Sequence, residues 1–579
     1  MATYIRLTDY KDSDSKEQGF FKSENRYEAK QDDFVKIPGS PIAYWINKKM
    51  IDIFNSSSKI IDDFFPSTGL QTGDNIGFIR KWFELSLKDS NIIFGEKWFK
   101  LNNGGDFRKW YGNFIDLLLW ENNGKEIKNH KSSVIRNEDK YFKKGITWNR
   151  IATDGLNMRQ LPENFIFDQS GDSLFFKEEN KYLENYLLAF FNTKIAYNIM
   201  KIVAPTLNIT AGGISDFPII FSKQDYTKQQ IDILTQECID ISKEEWDCRE
   251  TSWDFTKNEL LKHKSDNKIE TAYNNYCSYW KQKFYKLHAN EEELNRLFID
   301  IYELGDELTP DVDLKDITIL KSESIINEDK NIEFKADEIM KQFISYAVGV
   351  MFGRYSLDKD GLQIANLGSE ILISQMTDET KVSFPIDDDN VIPVLEDDYF
   401  SDDIASRIIN FVKTTFGSES LSENINFIEK CLGKTIRAYM VKDFYEDHIK
   451  RYKKRPIYWM VASPKKGFMS LSYMHRYTND LFARVQNNYL REYITKLEGT
   501  KDILRQIIVD ESASSKDKKD ADKKIKDIEN KLKELISFDR DVLTSYAQNR
   551  VDIDLDDGVK VNYNKFKEVL YPIKGLDKE

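Results

Sequence analysis

Between Thr227 and Leu304 the chain contains neither a glycine nor a proline. A stretch of that length with no backbone breaker and with apolar residues at three- and four-residue spacing predicts long amphipathic helices. Trp246, Trp253 and Trp280 are expected on their buried stripes. The texture differs on both sides. From about Asn25 to Ser222 the sequence is rich in aromatics and in Gly/Asn turns. The apolar runs Phe165-Ile166-Phe167 and Ser173-Leu174-Phe175-Phe176 read as strands. Within that block, residues 182–203 read as one helix, because Leu183, Leu187, Phe190, Phe191, Ile195, Ile199 and Ile202 recur at helical spacing. The fold class is therefore α+β and multidomain. A lead-in (1–24) precedes a mixed α/β domain (25–222), a helical spacer (223–304) and a linker (305–335). A second mixed α/β domain with a basic segment (336–490) follows, opening on a helix at 336–353. Residues 491–548 read as an antiparallel helical hairpin whose tip is the Ser/Lys/Asp-rich stretch 512–520. In the tail (549–579), a turn at 552–558 and a short strand at 559–563 are expected.

Composition narrows the class. The 579 residues are 40% hydrophobic, 31% charged and 13% aromatic, as in a folded chain with a sizeable core. No apolar run is long enough to span a bilayer, and the first residues lack an apolar signal region. The four cysteines (Cys238, Cys248, Cys277, Cys431) form no CxxC pair, which fits a reducing, cytoplasmic setting. Net charge is −13, but basic and acidic residues are segregated, and local patches set the field a ligand meets.

Absences exclude most catalytic templates. No two of the 26 glycines are separated by a single residue, and no GxxxxGK[ST] loop occurs. The usual cradles for cofactor phosphates are thus missing. There is no Asn-Pro-Pro-Tyr-type motif, no GxSxG elbow and no HExxH helix. Pro310-Asp311 with Glu333 and Lys335 is only a weak match to the metal-dependent nuclease layout, since such short patterns arise by coincidence.

Four constellations can carry binding chemistry. The first is the Gly69–Gly73 turn pair, with Thr72, Gly73, Asp74, Asn75 and then Arg80. It can present amides and N–H donors to phosphates or base edges, although an ordinary Asx-rich turn has the same composition. The second interleaves Lys100, Arg108, Lys109 and Trp110 around Gly104-Gly105, with cations for phosphates and flat aromatic surfaces. The third is an apolar helix running into Thr206, Asn208 and Thr210. The fourth is Lys450, Arg451, Lys453, Lys454 and Arg455 with Lys465 and Lys466: seven basic residues between 450 and 466 and no acidic one. Arg150 and Arg159 add cations inside the first block. By contrast, residues 377–403 hold ten acidic residues and one lysine, which reads as an acidic surface loop.

Residues 25–45 (opening Asn25-Arg26-Tyr27, closing Ala43-Tyr44-Trp45) resemble the PglX family of BREX phage-defence adenine-specific DNA methyltransferases. So do 69–75, 107–112, 135–139, 145–148, 344–358, 450–459 and 473–477. The Thr72-Gly73-Asp74-Asn75 loop and the 187–218 pattern are also similar to target-recognition domains of other restriction–modification enzymes. The resemblance implies DNA reading by the 25–222 block, with S-adenosylmethionine as the cofactor of the full-length family. The chain is expected to begin about where the family's methyltransferase domain would end, as a truncated gene, a swappable specificity half or a cloned fragment would. No catalytic residue is carried over, and this chain alone is expected to be non-catalytic, with no cofactor or metal of its own. Expected partners are double-stranded DNA, a separate methyltransferase domain, other BREX subunits and a phage-encoded inhibitor, with no membrane. A protein–protein scaffold within the defence complex is the competing class, with a Mg-dependent nuclease behind it.

Overall fold

The structure, a computed structural model, describes residues 1–87, 95–151, 155–204, 206 and 208–576. Two four-stranded sheets organise the first block. In one, Trp98–Asn102 lies between Phe165–Phe167, to which it is parallel, and Asp116–Leu119, to which it is antiparallel; Ile79–Lys81 forms the outer edge. The other is wholly antiparallel, in the order Phe64–Ser67, Ser173–Phe176, Gly145–Thr147, Arg159–Leu161. Both runs read as strands in the sequence are strands. Ser58–Lys59 pairs with Pro218–Ile219 and brings the two ends of the block together. The lead-in strand Ala2–Ile5 pairs with Arg26–Ala29.

The helix expected over 182–203 is two helices, Glu184–Phe191 and Lys194–Val203. The break lies at Asn192-Thr193. The Thr193 hydroxyl caps the second helix by accepting from the Ala196 N–H, and Asn192 exchanges hydrogen bonds with the Met158 backbone. Short polar side chains that bond backbone compete with helix continuation. The spacer forms Asp225–Asp247 and Ile269–Ile301, as its lack of breakers requires. Trp280 is buried on the second of these. Trp253 lies in the connection between them and carries the Lys100 ammonium over its ring at 4.5 Å.

A buried charge network crosses these layers. Glu245, on the first spacer helix, ion-pairs with Arg108 from the first block at 2.7 Å and also with Arg249. Arg249 pairs with Glu323 at 2.7 Å, and Glu323 accepts from Tyr276 and from Gln342. Burial opposes ionisation of Glu245, yet the two guanidiniums hold its carboxyl at about 2. The network joins the recognition block, both spacer helices, the linker and the helix Ala336–Met351.

That last helix is apolar on nearly all sides and buried from Phe343 to Met351, as a helix central to a domain must be. Tyr458–Ala462 and Met469–Tyr473 pair antiparallel beside it, and four helices between Ile404 and Arg451 cover the rest. The expected hairpin is present as Arg491–Val509 and Ser515–Phe538, but its tip is only residues 510–514: Ser514 caps the second helix, so the Lys/Asp run expected at the tip is helical. Most of the acidic stretch lies at the surface as expected, but two of its members turn inward. Asp403 is buried, caps the helix Ile404–Phe416 and pairs with Arg437 at 2.8 Å. Asp387 is buried between Arg407 and Arg476, which oppose its raised pKa. The tail also departs from expectation, since 558–564 is helical. The Glu84 carboxylate accepts the Val559 N–H at 2.7 Å, so an anion fills the first turn of a helix where a strand was expected.

Removing one partner from a buried ion network leaves the other charge uncompensated. Arg249→Met is therefore expected to lower the first urea-unfolding transition by about 3 kcal/mol. An exposed-site control, Lys526→Met, should stay within about 0.5 kcal/mol of wild type.

Candidate nucleic-acid interface

The Gly69–Asn75 loop is built to be rigid. A Cβ on Gly69 would lie 2.2 Å from the Phe167 carbonyl oxygen, where the loop runs against the strand Phe165–Phe167. Gly73 has φ +69 and faces the Ser132 backbone, where a Cβ would come within 2.5 Å. Gln71 exchanges backbone hydrogen bonds with Val134, and Ser133 donates to the Thr72 carbonyl. Asp74 caps the short helix Asn75–Phe78 through the Gly77 N–H at 2.9 Å. The result leaves Gly73 and Asn75 exposed on a braced turn.

Segments far apart in sequence meet beside that loop. One depression is lined by Asn75, Arg80, Lys81, Asn103, Asp116 and Arg455. It shares Lys81, Asn103 and Asp116 with a second, of ≈ 570 Å³, bounded by Gly104, Gly105, Arg108 and Lys453. The second shares Gly104 and Gly105 with a third, lined by Arg150, Gln169 and Asn208. Together they make one furrow that gathers residues from all four sequence constellations. Lys81 pairs with Asp116 at 2.6 Å, and Lys453 with the exposed Asp106 at 2.9 Å. The tail closes one end, where Arg80 donates to the Asp556 carbonyl at 3.1 Å and stacks against Trp98. Asn103 lay within the second sequence constellation without being singled out, whereas Lys81 and the tail were missed.

Several expected contact residues require correction. Arg159 is fully buried, donating to Asn149 Oδ1 at 2.9 Å and to the Arg108 carbonyl at 3.2 Å. Burial, with Arg108 nearby, lowers its pKa to about 9. Arg108 is buried against Glu245 and donates to the Tyr111 and Ser242 carbonyls. Trp110 is buried and donates its indole N–H to Glu291 at 2.8 Å. Thr72 is buried beneath the loop and donates to Asn75 Oδ1. These four support the furrow from inside. Lys109 is turned to Glu291 at 2.9 Å, and Lys100 lies over Trp253. Arg451 is half-buried. Exposed or half-exposed positions remain at Gly73, Asp74, Asn75, Arg80, Arg150, Thr206, Asn208, Lys450, Lys453, Lys454 and Arg455. Of these, Arg150, Lys450 and Lys454 have no ion-pair partner among the described residues. Asp311 and Glu333 are both exposed, and the latter sits on the small strand Ile332–Phe334, so no buried carboxylate pair forms there.

No protein-family model matches this chain. It is 34% identical over 568 residues to the adenine-specific methyltransferase BrxX of Escherichia coli O9:H4 (strain HS), covering 94% of this chain and 46% of that protein. It is 36% identical over 613 residues to the adenine-specific methyltransferase PglX of Lacticaseibacillus casei (strain Zhang), covering 99% and 49%. The likeness read in the sequence thus holds along nearly the whole chain, and the chain spans about half the length of these curated relatives.

Under the furrow, burial raises Asp168 to about 7 and Asp172 to about 6, although Asp168 accepts the Ser170 and Gly171 N–H groups. An unfolded aspartate releases its proton near 3.8. Between that pH and about 7 the folded state binds more protons than the unfolded one, so these groups make stability fall as pH rises through that window. Asp168→Asn should flatten this dependence. The gap in melting temperature between variant and wild type is expected to widen in the variant's favour from pH 5 to pH 8. A constant gap would contradict the assignment.

Proposed function

We propose that this chain, related along nearly its whole length to adenine-specific methyltransferases, is the DNA-reading portion of such an enzyme in BREX-type phage defence. Double-stranded DNA lies along the furrow. The observation that carries this reading is the convergence of Asn75, Arg80, Asn103, Asn208, Lys453 and Arg455 on one continuous surface. Arg150, Lys450 and Lys454 neutralise phosphates and fix position. Asn75, Asn103 and Asn208 carry amides suited to the N6/N7 edge of adenine in the major groove. The Lys453–Asp106 pair is exposed on both sides and contributes little, so Lys453 can exchange Asp106 for a phosphate at small cost.

S-adenosylmethionine needs a backbone cradle for its nucleoside and charged groups. The glycine pair nearest the furrow, Gly104-Gly105, connects the antiparallel strands Trp98–Asn102 and Asp116–Leu119 and does not lead from a parallel strand into a helix. The furrow residues therefore do not fit that group, and methyl transfer is assigned to a separate methyltransferase domain. The chain's own residues bind and orient the duplex.

Mobility shift on duplex DNA over a salt series tests the reading. Retention should weaken steeply with salt, and Lys450→Glu with Lys454→Glu should reduce the log–log slope by about 2. Folded protein that retains no duplex even at low salt would reject the function. Methyl transfer by the isolated chain should read zero, and turnover would mean that this chain carries a catalytic site of its own.

A further inference from the structure

The strand Asp116–Leu119 does not end in an ordinary turn. Asn122, Asn123 and Gly124 follow with φ of 51, 58 and 69 and ψ of 46, 40 and 30, three consecutive residues in the left-handed region. Each non-glycine residue held there costs free energy, and Asn tolerates it best. Such strain persists where the surroundings enforce it, and it concentrates at functional positions. Here the surroundings are explicit. A Cβ on Gly124 would lie 2.7 Å from the Trp120 ring, which is itself buried, and the Gly124 N–H donates to the Trp120 carbonyl at 3.0 Å. The backbone is pinned by a buried indole, while Asn122 and Asn123 stand exposed. Neither amide has a hydrogen-bond partner among the described residues.

The turn sits beside the braced loop. Ile79 pairs with Leu118, so the short helix Asn75–Phe78 and the 120–124 turn emerge at the same end of the sheet. Between them lies a depression of ≈ 430 Å³ lined by Phe78, Leu119, Asn122, Asn129 and His130 together with Glu121, Lys125 and Glu126, with Asn123 just outside it. His130 Nδ1 lies 3.2 Å from Ser133 Oγ, which donates to the Thr72 carbonyl, so the pocket wall and the loop share one hydrogen-bond chain. A planar, hydrogen-bonding group with one apolar face suits this lining: the Asn amides supply a paired donor and acceptor, and Phe78 and Leu119 supply the apolar contact.

We propose that the left-handed Asn122-Asn123-Gly124 turn is a second base-reading element, with its amides directed at an adenine edge next to the step met by Asn75. The inference rests on the DNA-reading function above and adds specificity-determining residues that neither sequence pattern nor kinship singles out. A bidentate amide–adenine pair discriminates by about 1–3 kcal/mol, or about 5- to 150-fold.

The test is selection from a randomised duplex library with the full chain, followed by binding to the selected and scrambled duplexes. Asn122→Gly with Asn123→Gly is the primary variant, because glycine keeps the left-handed backbone and removes only the amides. Asn123→Asp is the second, converting an amide donor into a carboxylate that accepts only. Melting curves overlapping the wild type establish that both are folded. The expected result is loss of preference at one or two adjacent positions of the selected site, with the selected-to-scrambled ratio falling about 5- to 150-fold. Wild-type and variant chains selecting the same site with the same ratio would overturn this proposal while leaving the DNA-reading function standing. Failure of the wild type to select any duplex would overturn both.

Discussion

Everything at the furrow depends on Arg108 being spent inward. Its guanidinium is held between Glu245 and the Tyr111 and Ser242 carbonyls, and this fixes the 104–113 loop to the first spacer helix. Through Glu245 the same network passes to Arg249 and Glu323, and from there to the linker and the helix Ala336–Met351. Buried pairs of this kind give modest net stability against apolar replacements, but they specify a unique arrangement when every member is satisfied. Here that network holds the loop carrying Gly104-Gly105, which lines one depression together with Lys453 from the second domain. A second tie, His475 donating to the Leu85 carbonyl at 2.8 Å, holds the same two parts together, and burial keeps that imidazole neutral by lowering its pKa to about 3.

The division of labour among the basic residues follows from desolvation. A cation buried on folding needs partners at once, so Arg108 is consumed by Glu245, and Arg159 by the Arg108 carbonyl and the Asn149 amide oxygen. Exposed cations such as Lys450 and Lys454 pay no such penalty, and they are the ones the proposed duplex would use. Arg80 stands between these cases, since desolvation lowers its pKa while Glu84 and the tail aspartates raise it. The C-terminal tail is therefore part of the furrow wall.

The spacer helices and the hairpin were legible because a long stretch without breakers leaves few alternatives to a helix. The strands at 165–167 and 173–176 were legible because short aromatic runs between turn residues suit a pleated, buried surface. The 182–203 break was hidden because Thr193 reads as a tolerable helix residue until its hydroxyl is seen to cap. The tail helix was hidden because its cause, Glu84, lies far away in the sequence. Among candidate contacts, cation type was visible and burial was not. Nothing local to Arg108 or Trp110 announces that Glu245 and Glu291 wait across the fold. The acidic run stayed largely at the surface as read, and only the burial of Asp387 and Asp403 was hidden, because the arginine that pairs with Asp403 is remote in sequence.

The central claim, that a duplex lies along this furrow, is tested most directly by hydrogen–deuterium exchange of the full chain with and without duplex DNA. The account predicts slowed exchange in peptides covering 69–81, 103–113 and 450–456, with the 491–538 hairpin unchanged. Protection confined to the hairpin, or to the face opposite the furrow, would contradict it.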